Sequence, residues 1–223
     1  MAKITYLGHS AFLVENAGKK VMFDPWISKN PVCPRKLDNL EKADVYVVSH
    51  SHGDHGLEDA IRMASEKGGK VVGIYELANY AAEKGAEAVG ANIGGAFEVD
   101  GVSVRLTHAL HSSDLGAPTG SIVRIGDLVA YHAGDTDVFY DMKLIGELYK
   151  PDVALLPIGG HFTMGPLEAA KAVELLKVGR VIPMHYGTFP VLYGTPDMLR
   201  EELSNRGIEA DVLEIKPGES LEV

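Results

Sequence analysis

Five apolar segments of this chain each end in a histidine or an aspartate, and this repetition constrains the fold more than any other feature of the sequence. The segments end at His50, His111, Asp135, His161 and His185. Side chains at the ends of neighbouring strands meet at one edge of a sheet, where functional residues of α/β proteins collect. We therefore expect these five residues to converge on one site.

The densest polar group is the segment His-Ser-His-Gly-Asp-His at positions 50–55. On a strand His55 would point away from the other three polar side chains, and on a helix only His50 and Asp54 would align. A tight loop gathers all four, and Gly53 can adopt the backbone angles that such a turn needs. Imidazoles and carboxylates without cysteine suit Zn²⁺, Mn²⁺ or Fe. The alternative interpretation is a histidine-rich surface loop that binds nothing.

The order of predicted elements favours an α/β (α+β) fold. Short runs rich in β-branched and aromatic residues predict strands, the first three of which form an antiparallel meander. These strands are 3–7, 11–14, 20–23, 44–49, 71–74, 97–99, 102–107, 121–125, 128–132, 153–156 and 180–183. Apolar periodicity and Gly or Pro end signals predict helices at 57–67, 76–84, 166–177 and 196–206. We predict one domain over residues 1–223, a four-layer αββα sandwich with two sheets inside and helices outside.

Composition limits the possible partners. The formal net charge of -10 argues against a broad DNA or RNA surface, although bound divalent ions would attract a small anionic substrate locally. No window reaches the ~20 apolar residues of a membrane span, and the N-terminus lacks a signal-peptide pattern. The single Cys33 cannot form an internal disulfide. We expect a cytoplasmic protein that acts on a small molecule, without nucleic-acid or membrane partners; a homo-oligomer is left open.

Four further segments extend the pattern of the 50–55 loop: THALHSS, YHAGDT, GHFTMGP and PMHYGTF. Together these motifs resemble the metallo-β-lactamase superfamily along the whole chain, and within it a group of small metal-dependent hydrolases similar to ascorbate-6-phosphate lactonase. The resemblance implies a sandwich of the metallo-β-lactamase type. It also implies a hydrolase in which hydroxide bound to a dinuclear metal centre cleaves an ester, lactone or phosphodiester bond of a small substrate. The two divalent ions would be Zn²⁺ or Mn²⁺, with Ni²⁺ or Fe as further candidates.

The resemblance also assigns ligands to the two ions. The first ion would be bound by His50, His52 and His111, and the second by Asp54, His55 and His185, with Asp135 bridging both. Asp54 would in addition orient or deprotonate the attacking water.

Two further histidines compete with these assignments. His108 lies three positions before His111, and the family pattern favours His111 because the ligand precedes small polar residues. We interpret His108 as the end of a strand, in a packing or supporting role. His132 lies inside a predicted strand and is interpreted as a hydrogen-bonded core residue.

Other residues have supporting roles. Asp24 is either a turn former or a hydrogen-bond partner of a ligand imidazole. His9 and Tyr186 are expected to line the pocket or to support the ligands. His161 follows a strand in a glycine-rich loop, where it could protonate a leaving group or stabilise an oxyanion, or simply lie outside the site. Asp59 is expected to be a solvated charge on an exposed helix face.

Two other functions fit parts of the pattern. Mononuclear iron oxidoreductases of the dioxygenase type keep the same histidines, whereas diiron oxygen reductases usually carry Glu at the position of His52. A non-catalytic metal-binding scaffold would retain the ligands for folding alone.

Overall fold

Two seven-stranded sheets form the centre of the protein, which is described over residues 1–223 by a computed structural model. The first sheet contains β1 (Lys3–Gly8), β2 (Ala11–Asn16), β3 (Lys19–Phe23), β4 (Val45–Val47), β5 (Lys70–Ile74), β6 (Ala88–Ala91) and β14 (Ser220–Glu222). The second contains β7 (Phe97–Val99), β8 (Val102–His108), β9 (Thr119–Ile125), β10 (Leu128–His132), β11 (Val153–Pro157), β12 (Arg180–Met184) and β13 (Asp211–Val212). The helices are α1 (Leu57–Lys67), α2 (Tyr75–Glu83), α3 (Met142–Tyr149), α4 (Pro166–Leu176) and α5 (Pro196–Asn205).

Two apolar clusters define the layers. The larger cluster has 42 buried residues, contributed by both sheets and by α1 and α2. The smaller has 20 and joins the outer face of the second sheet to α3, α4 and α5. The two faces of strand β11 pack in different clusters: Val153 and Leu155 belong to the larger cluster, and Ala154 and Leu156 belong to the smaller. The predicted αββα sandwich is therefore confirmed.

Strand direction determines where the polar residues gather. In the first sheet β3 and β4 are parallel, and β1 runs the same way because β2 is antiparallel to both neighbours. In the second sheet β10, β11 and β12 are parallel, and β8 shares their direction through the antiparallel β9. Side chains that follow strands of one direction in a sheet therefore collect at one edge of that sheet.

Several elements differ from the sequence prediction. The strand predicted at 44–49 is shorter, and β6, β13, β14 and α3 were not predicted. Gly146 lies in the middle of α3, where glycine normally weakens a helix. A Cβ at this position would lie 2.1 Å from the Leu176 carbonyl oxygen, so glycine allows the backbones of α3 and α4 to approach closely. No helix has both the length and the apolar character that crossing a bilayer requires.

Candidate metal centre

The loop after β4 carries four of the predicted ligands and turns sharply into α1. Gly53, Asp54 and His55 form one 3-10 turn, closed by a 3.0 Å bond from the His55 amide to the His52 carbonyl. The left-handed backbone angle falls on Gly56, with φ of 70°, and not on Gly53 as the sequence suggested. A Cβ on Gly56 would lie 2.2 Å from the backbone of Pro25 and Trp26, so this position accepts only glycine.

The first donor group consists of His50, His52 and His111. The Nε2 atom of His50 lies 2.9 Å from Nδ1 of His52, which lies 3.3 Å from Nε2 of His111. Ligand nitrogens that bind one ion at about 2.1 Å are about 3.0 to 3.4 Å apart in octahedral or tetrahedral geometry. The observed spacing therefore fits the coordination shell of a divalent cation.

The second donor group contains Asp54, His55 and His185, together with His9, and its ligand atoms all lie within 4.8 Å of one another. Asp135 connects the groups. Its Oδ2 atom lies 3.1 Å from Nε2 of His185, 3.2 Å from Nε2 of His55 and 3.6 Å from Nε2 of His111. The structure thus brings together all seven residues that the resemblance assigned to two ions, with Asp135 between the groups.

Buried polar atoms without hydrogen bonds are concentrated here. Of the six such side-chain atoms in the protein, four are His9 Nε2, His55 Nε2, His185 Nδ1 and Asp135 Oδ1. Buried polar atoms normally have partners, because leaving one unpaired costs about 1–3 kcal/mol. Bound cations would satisfy donors of this kind, so these residues fit the metal that the donor chemistry implies.

The electrostatics of the group favour cation binding. Burial lowers the pKa of His50 to about 2 and also lowers the pKa of His111, so both imidazoles are neutral near neutral pH. Burial alone would raise the pKa of the Asp135 carboxyl, but His55 and His185 hold it well below its usual range. Burial alone would lower the pKa of His55, but Asp135 and Asp24 outweigh it and hold that pKa well above its usual value. The neutral imidazoles of His50 and His111 and the ionised Asp135 carboxylate can donate to a cation, whereas His55 must first lose its proton.

Asp24 and Ser49 fix the orientation of two ligand rings. The Oδ2 atom of Asp24 lies 2.7 Å from Nδ1 of His55 and accepts a 2.7 Å bond from Ser49 Oγ, while Oδ1 accepts from the Ser49 amide. Ser49 Oγ also lies 2.9 Å from Nδ1 of His50. Of the two interpretations of Asp24, the structure shows the hydrogen bond to a ligand imidazole, which leaves Nε2 free for an ion. The sequence reasoning missed Ser49, although it directly precedes His50.

The two competing histidines lie outside both donor groups. His108 ends β8, is exposed, and packs edge-on near Phe139. His132 is buried and donates from Nε2 to the Ser10 carbonyl at 3.0 Å, while Nδ1 accepts from the Gly134 amide at 3.2 Å. Both ring nitrogens of His132 are therefore occupied within the core.

The environment of Asp59 differs from the one predicted from the sequence. It is buried and accepts bonds of 2.6 to 2.7 Å from the Ile27 amide and from the amide and hydroxyl of Ser28. The prediction of a solvated charge was wrong, because Asp59 faces the 26–29 loop and fixes its backbone. This contact depends on residues about thirty positions apart in the chain, which helical periodicity does not report.

His161 and Tyr186 lie in loops at the edge of the second sheet. His161 is exposed, with φ of 62° and its ring edge-on to Phe162. Tyr186 is half-buried against the smaller apolar cluster, and burial together with the nearby Glu214 carboxylate raises its pKa to about 12. Neither side chain belongs to a donor group, and their predicted roles stay predictions.

A cavity of about 300 Å³ opens beside the first donor group. Its lining includes Trp26, Lys29, Ser51, His52 and Gly53. The volume is at the lower end of the range for small-molecule sites. A small molecule in this cavity would lie next to His52.

Two facing sheets, outer helices and a His/Asp cluster at the sheet edge define a metallo-β-lactamase-type fold. In agreement, the family model described as Beta-lactamase superfamily domain matches residues 3–185, and the chain belongs to this family. A relative from Korarchaeum cryptofilum (strain OPF8), named UPF0173 metal-dependent hydrolase, is 61% identical over 100% of both chains. A relative of the same name from Thermofilum pendens (strain DSM 2475 / Hrk 5) is 50% identical over 100% of this chain and 99% of its own.

A solved structure of a related protein is also similar to this chain in fold and sequence. It is described as that of Igni18, a novel metallo hydrolase from the hyperthermophilic archaeon Ignicoccus hospitalis KIN4/I, and shares 42% identity with a TM-score of 0.89. The match covers 99% of this chain and 97% of that one. The chain is thus a member of the metal-dependent hydrolases of this superfamily. The finer similarity to ascorbate-6-phosphate lactonase stays a prediction.

Proposed function

We propose that this protein uses two divalent ions to hydrolyse an ester, lactone or phosphodiester bond in a small substrate. The observation that supports this most directly is the pair of donor groups that share Asp135, whose Oδ2 lies within 3.6 Å of nitrogens from both. When bound, two ions supply an activated water near neutral pH and polarise the bond under attack. Zn²⁺ and Mn²⁺ are the first candidates, because the donors are imidazoles and carboxylates without thiolate.

Asp54 is proposed to orient the attacking water. Its side chain is 28% exposed, so it reaches the opening of the site as well as the second donor group. Burial raises the pKa of its carboxyl, but His9 and His55 outweigh this and hold that pKa well below the usual range. A carboxylate with so low a pKa is a weak base, and we therefore assign it orientation of the water in preference to proton removal.

His161 is proposed to protonate the leaving group. It lies in the loop between β11 and α4, in which a Cβ on Gly159 would lie 2.1 Å from the His185 carbonyl oxygen. This loop therefore packs directly on the loop that carries a predicted ligand. The exposed His161 ring can therefore be reached by both solvent and substrate at this edge of the sheet.

The proposed substrate is a small, anionic molecule. The cavity beside His52 holds about 300 Å³, and its lining contains Lys29 together with the acidic residues Glu58 and Asp59, so the attraction for a negative charge would come mainly from the bound divalent ions. The formal net charge of -10 disfavours a long polyanion such as nucleic acid. A cytoplasmic location remains part of the proposal.

The test is hydrolysis by the purified protein with its metal, assayed on generic ester, lactone and phosphodiester compounds alongside elemental analysis. His52→Ala removes one donor of the first group and should lower turnover by more than about 100-fold. The matched control is His108→Ala, which removes an exposed histidine outside both groups and should retain activity. Full turnover by metal-free His52→Ala would refute the proposal, and one iron per chain with oxygen consumption would replace it with oxidoreductase chemistry.

A further inference from the structure

His9 is held rigidly at the edge of the first sheet. It follows β1 directly, is fully buried, and has a left-handed backbone with φ of 59°. Its carbonyl oxygen accepts hydrogen bonds from the His185 amide at 2.8 Å and from the Tyr6 hydroxyl at 3.0 Å. Such a conformation is unfavourable for a residue with a Cβ and persists only where surrounding contacts enforce it.

The hydrogen bonds of the ring determine which nitrogen of His9 is free. Nδ1 lies 3.0 Å from the Thr188 hydroxyl, and that hydroxyl donates to the Tyr186 carbonyl at 3.4 Å. A hydroxyl has one hydrogen to donate, so when Thr188 Oγ1 donates to the Tyr186 carbonyl it accepts from the N–H at Nδ1 of His9. In this arrangement Nε2 carries a lone pair.

The free nitrogen faces another acceptor. His9 Nε2 is buried, has no hydrogen bond, and lies 3.3 Å from Oδ2 of Asp54. In that tautomer the Nε2 lone pair and the carboxylate repel each other unless a cation lies between them; in the other tautomer a proton at Nε2 occupies this position, and through it His9 lowers the pKa of Asp54. The separation also equals the spacing expected of two donors that bind one ion at about 2.1 Å.

We infer that His9 is a fourth protein donor to the ion bound by Asp54, His55 and His185, an inference that rests on the two-ion function proposed above. The four ligand atoms lie within 4.8 Å of one another. The second ion then has four donors besides the shared Asp135, whereas the first has three, two of them half-exposed. The second ion is accordingly the more tightly bound, and the first is the one lost on dilution.

His9→Asn is the informative variant. Asparagine tolerates the left-handed backbone better than alanine does, so the loop after β1 keeps its conformation. Its side chain reaches the position of Nδ1 and can still bond Thr188, but it has no atom at the position of Nε2. His108→Ala again serves as the matched control, and the thermal unfolding of each variant establishes that it is folded.

The readout is cadmium NMR of the intact protein. Through-bond coupling between an NMR-active cadmium isotope and imidazole protons identifies each bound histidine, and we expect six coupled rings in the wild type and in His108→Ala. In His9→Asn we expect five, with one cadmium resonance shifted, and an affinity for the tighter ion reduced by at least about tenfold in a chelator competition.

Three results are decisive. Six coupled rings that include His9 support the inference. Two bound ions with only five coupled rings, and an unchanged cadmium spectrum in His9→Asn, overturn the role of His9 while leaving the proposed function intact. Fewer than two bound ions in the wild type at saturating cadmium refute the two-ion function and, with it, the assignment of His9 to a second ion.

Discussion

Replacing Asp24 with asparagine tests whether this carboxylate holds a metal ligand in place. The change preserves the shape of the side chain and suits its left-handed backbone, with φ of 40°. It replaces one acceptor oxygen by an NH₂ group, so one orientation of the amide leaves His55 Nδ1 and Ser49 Oγ without an acceptor and the other leaves the Ser49 amide facing a donor. In either orientation the His55 ring loses the charged partner that points its Nε2 at the ion.

The expected magnitude follows from the lost hydrogen bond. A hydrogen bond to a charged group contributes about 1.5–3 kcal/mol. Loss of a group that orients a metal ligand typically lowers metal affinity by about 10–100-fold, which corresponds to about 1.4–2.7 kcal/mol. The two estimates agree, so Asp24→Asn should weaken binding of the second ion by one to two orders of magnitude, measured by competition with a chelating indicator.

Asp59→Asn is the matched control. Asp59 is also buried and also accepts three hydrogen bonds, but from Ile27 and Ser28 and not from a histidine. Both variants should lower the free energy of unfolding of the metal-stripped protein by about 1.5–3 kcal/mol in urea titrations. Only Asp24→Asn should lower metal affinity. Equal affinity losses in the two variants, or none in Asp24→Asn, would refute the role assigned to Asp24.

Three further predictions concern pH, the backbone and metal removal. Asp135 and Asp24 raise the pKa of His55, so a cation must displace the proton of this ring. Metal affinity should therefore rise by up to about tenfold per pH unit from about pH 6.5 to that raised pKa. A metal affinity that does not change with pH in chelator competition would contradict this. In the metal-free protein the stabilisation from protonated His55 should be complete below about pH 6.5 and disappear as pH rises through the raised pKa, as urea unfolding would show. Gly56→Ala should lower the free energy of unfolding by at least about 2 kcal/mol in the same assay, because the added Cβ would lie 2.2 Å from backbone atoms. The control Gly53→Ala should leave the free energy of unfolding unchanged, because a Cβ there meets nothing within 4 Å. When free metal is present at about 100 times its dissociation constant, stripping it should lower the free energy of unfolding by about 2.7 kcal/mol and Tm by roughly 5–10 °C in calorimetry. An unchanged Tm would mean that no ion is bound.

Much of the fold could be predicted from local patterns. The boundaries of α1 match the prediction, and the hairpin at Gly126 pairs Ile125 with Leu128 as expected. Apolar periodicity and turn residues report such elements because their causes lie within a few neighbouring residues. Helix α3 escaped prediction because Gly146 weakens its local propensity, and its formation depends on packing against α4.

The sequence by itself determined the donor chemistry: histidines and aspartates placed after apolar strands, without a thiolate. Only the tertiary structure decided which histidines face one another, because that depends on contacts between distant residues. His9 and Thr188 are 179 positions apart, and the Asp24 carboxylate meets His55 across 31. Local propensity carries no information about such pairs, whereas strand direction and loop packing place them within hydrogen-bonding distance. The same reason explains why Asp59 is buried, and why Gly56, not Gly53, carries the left-handed turn.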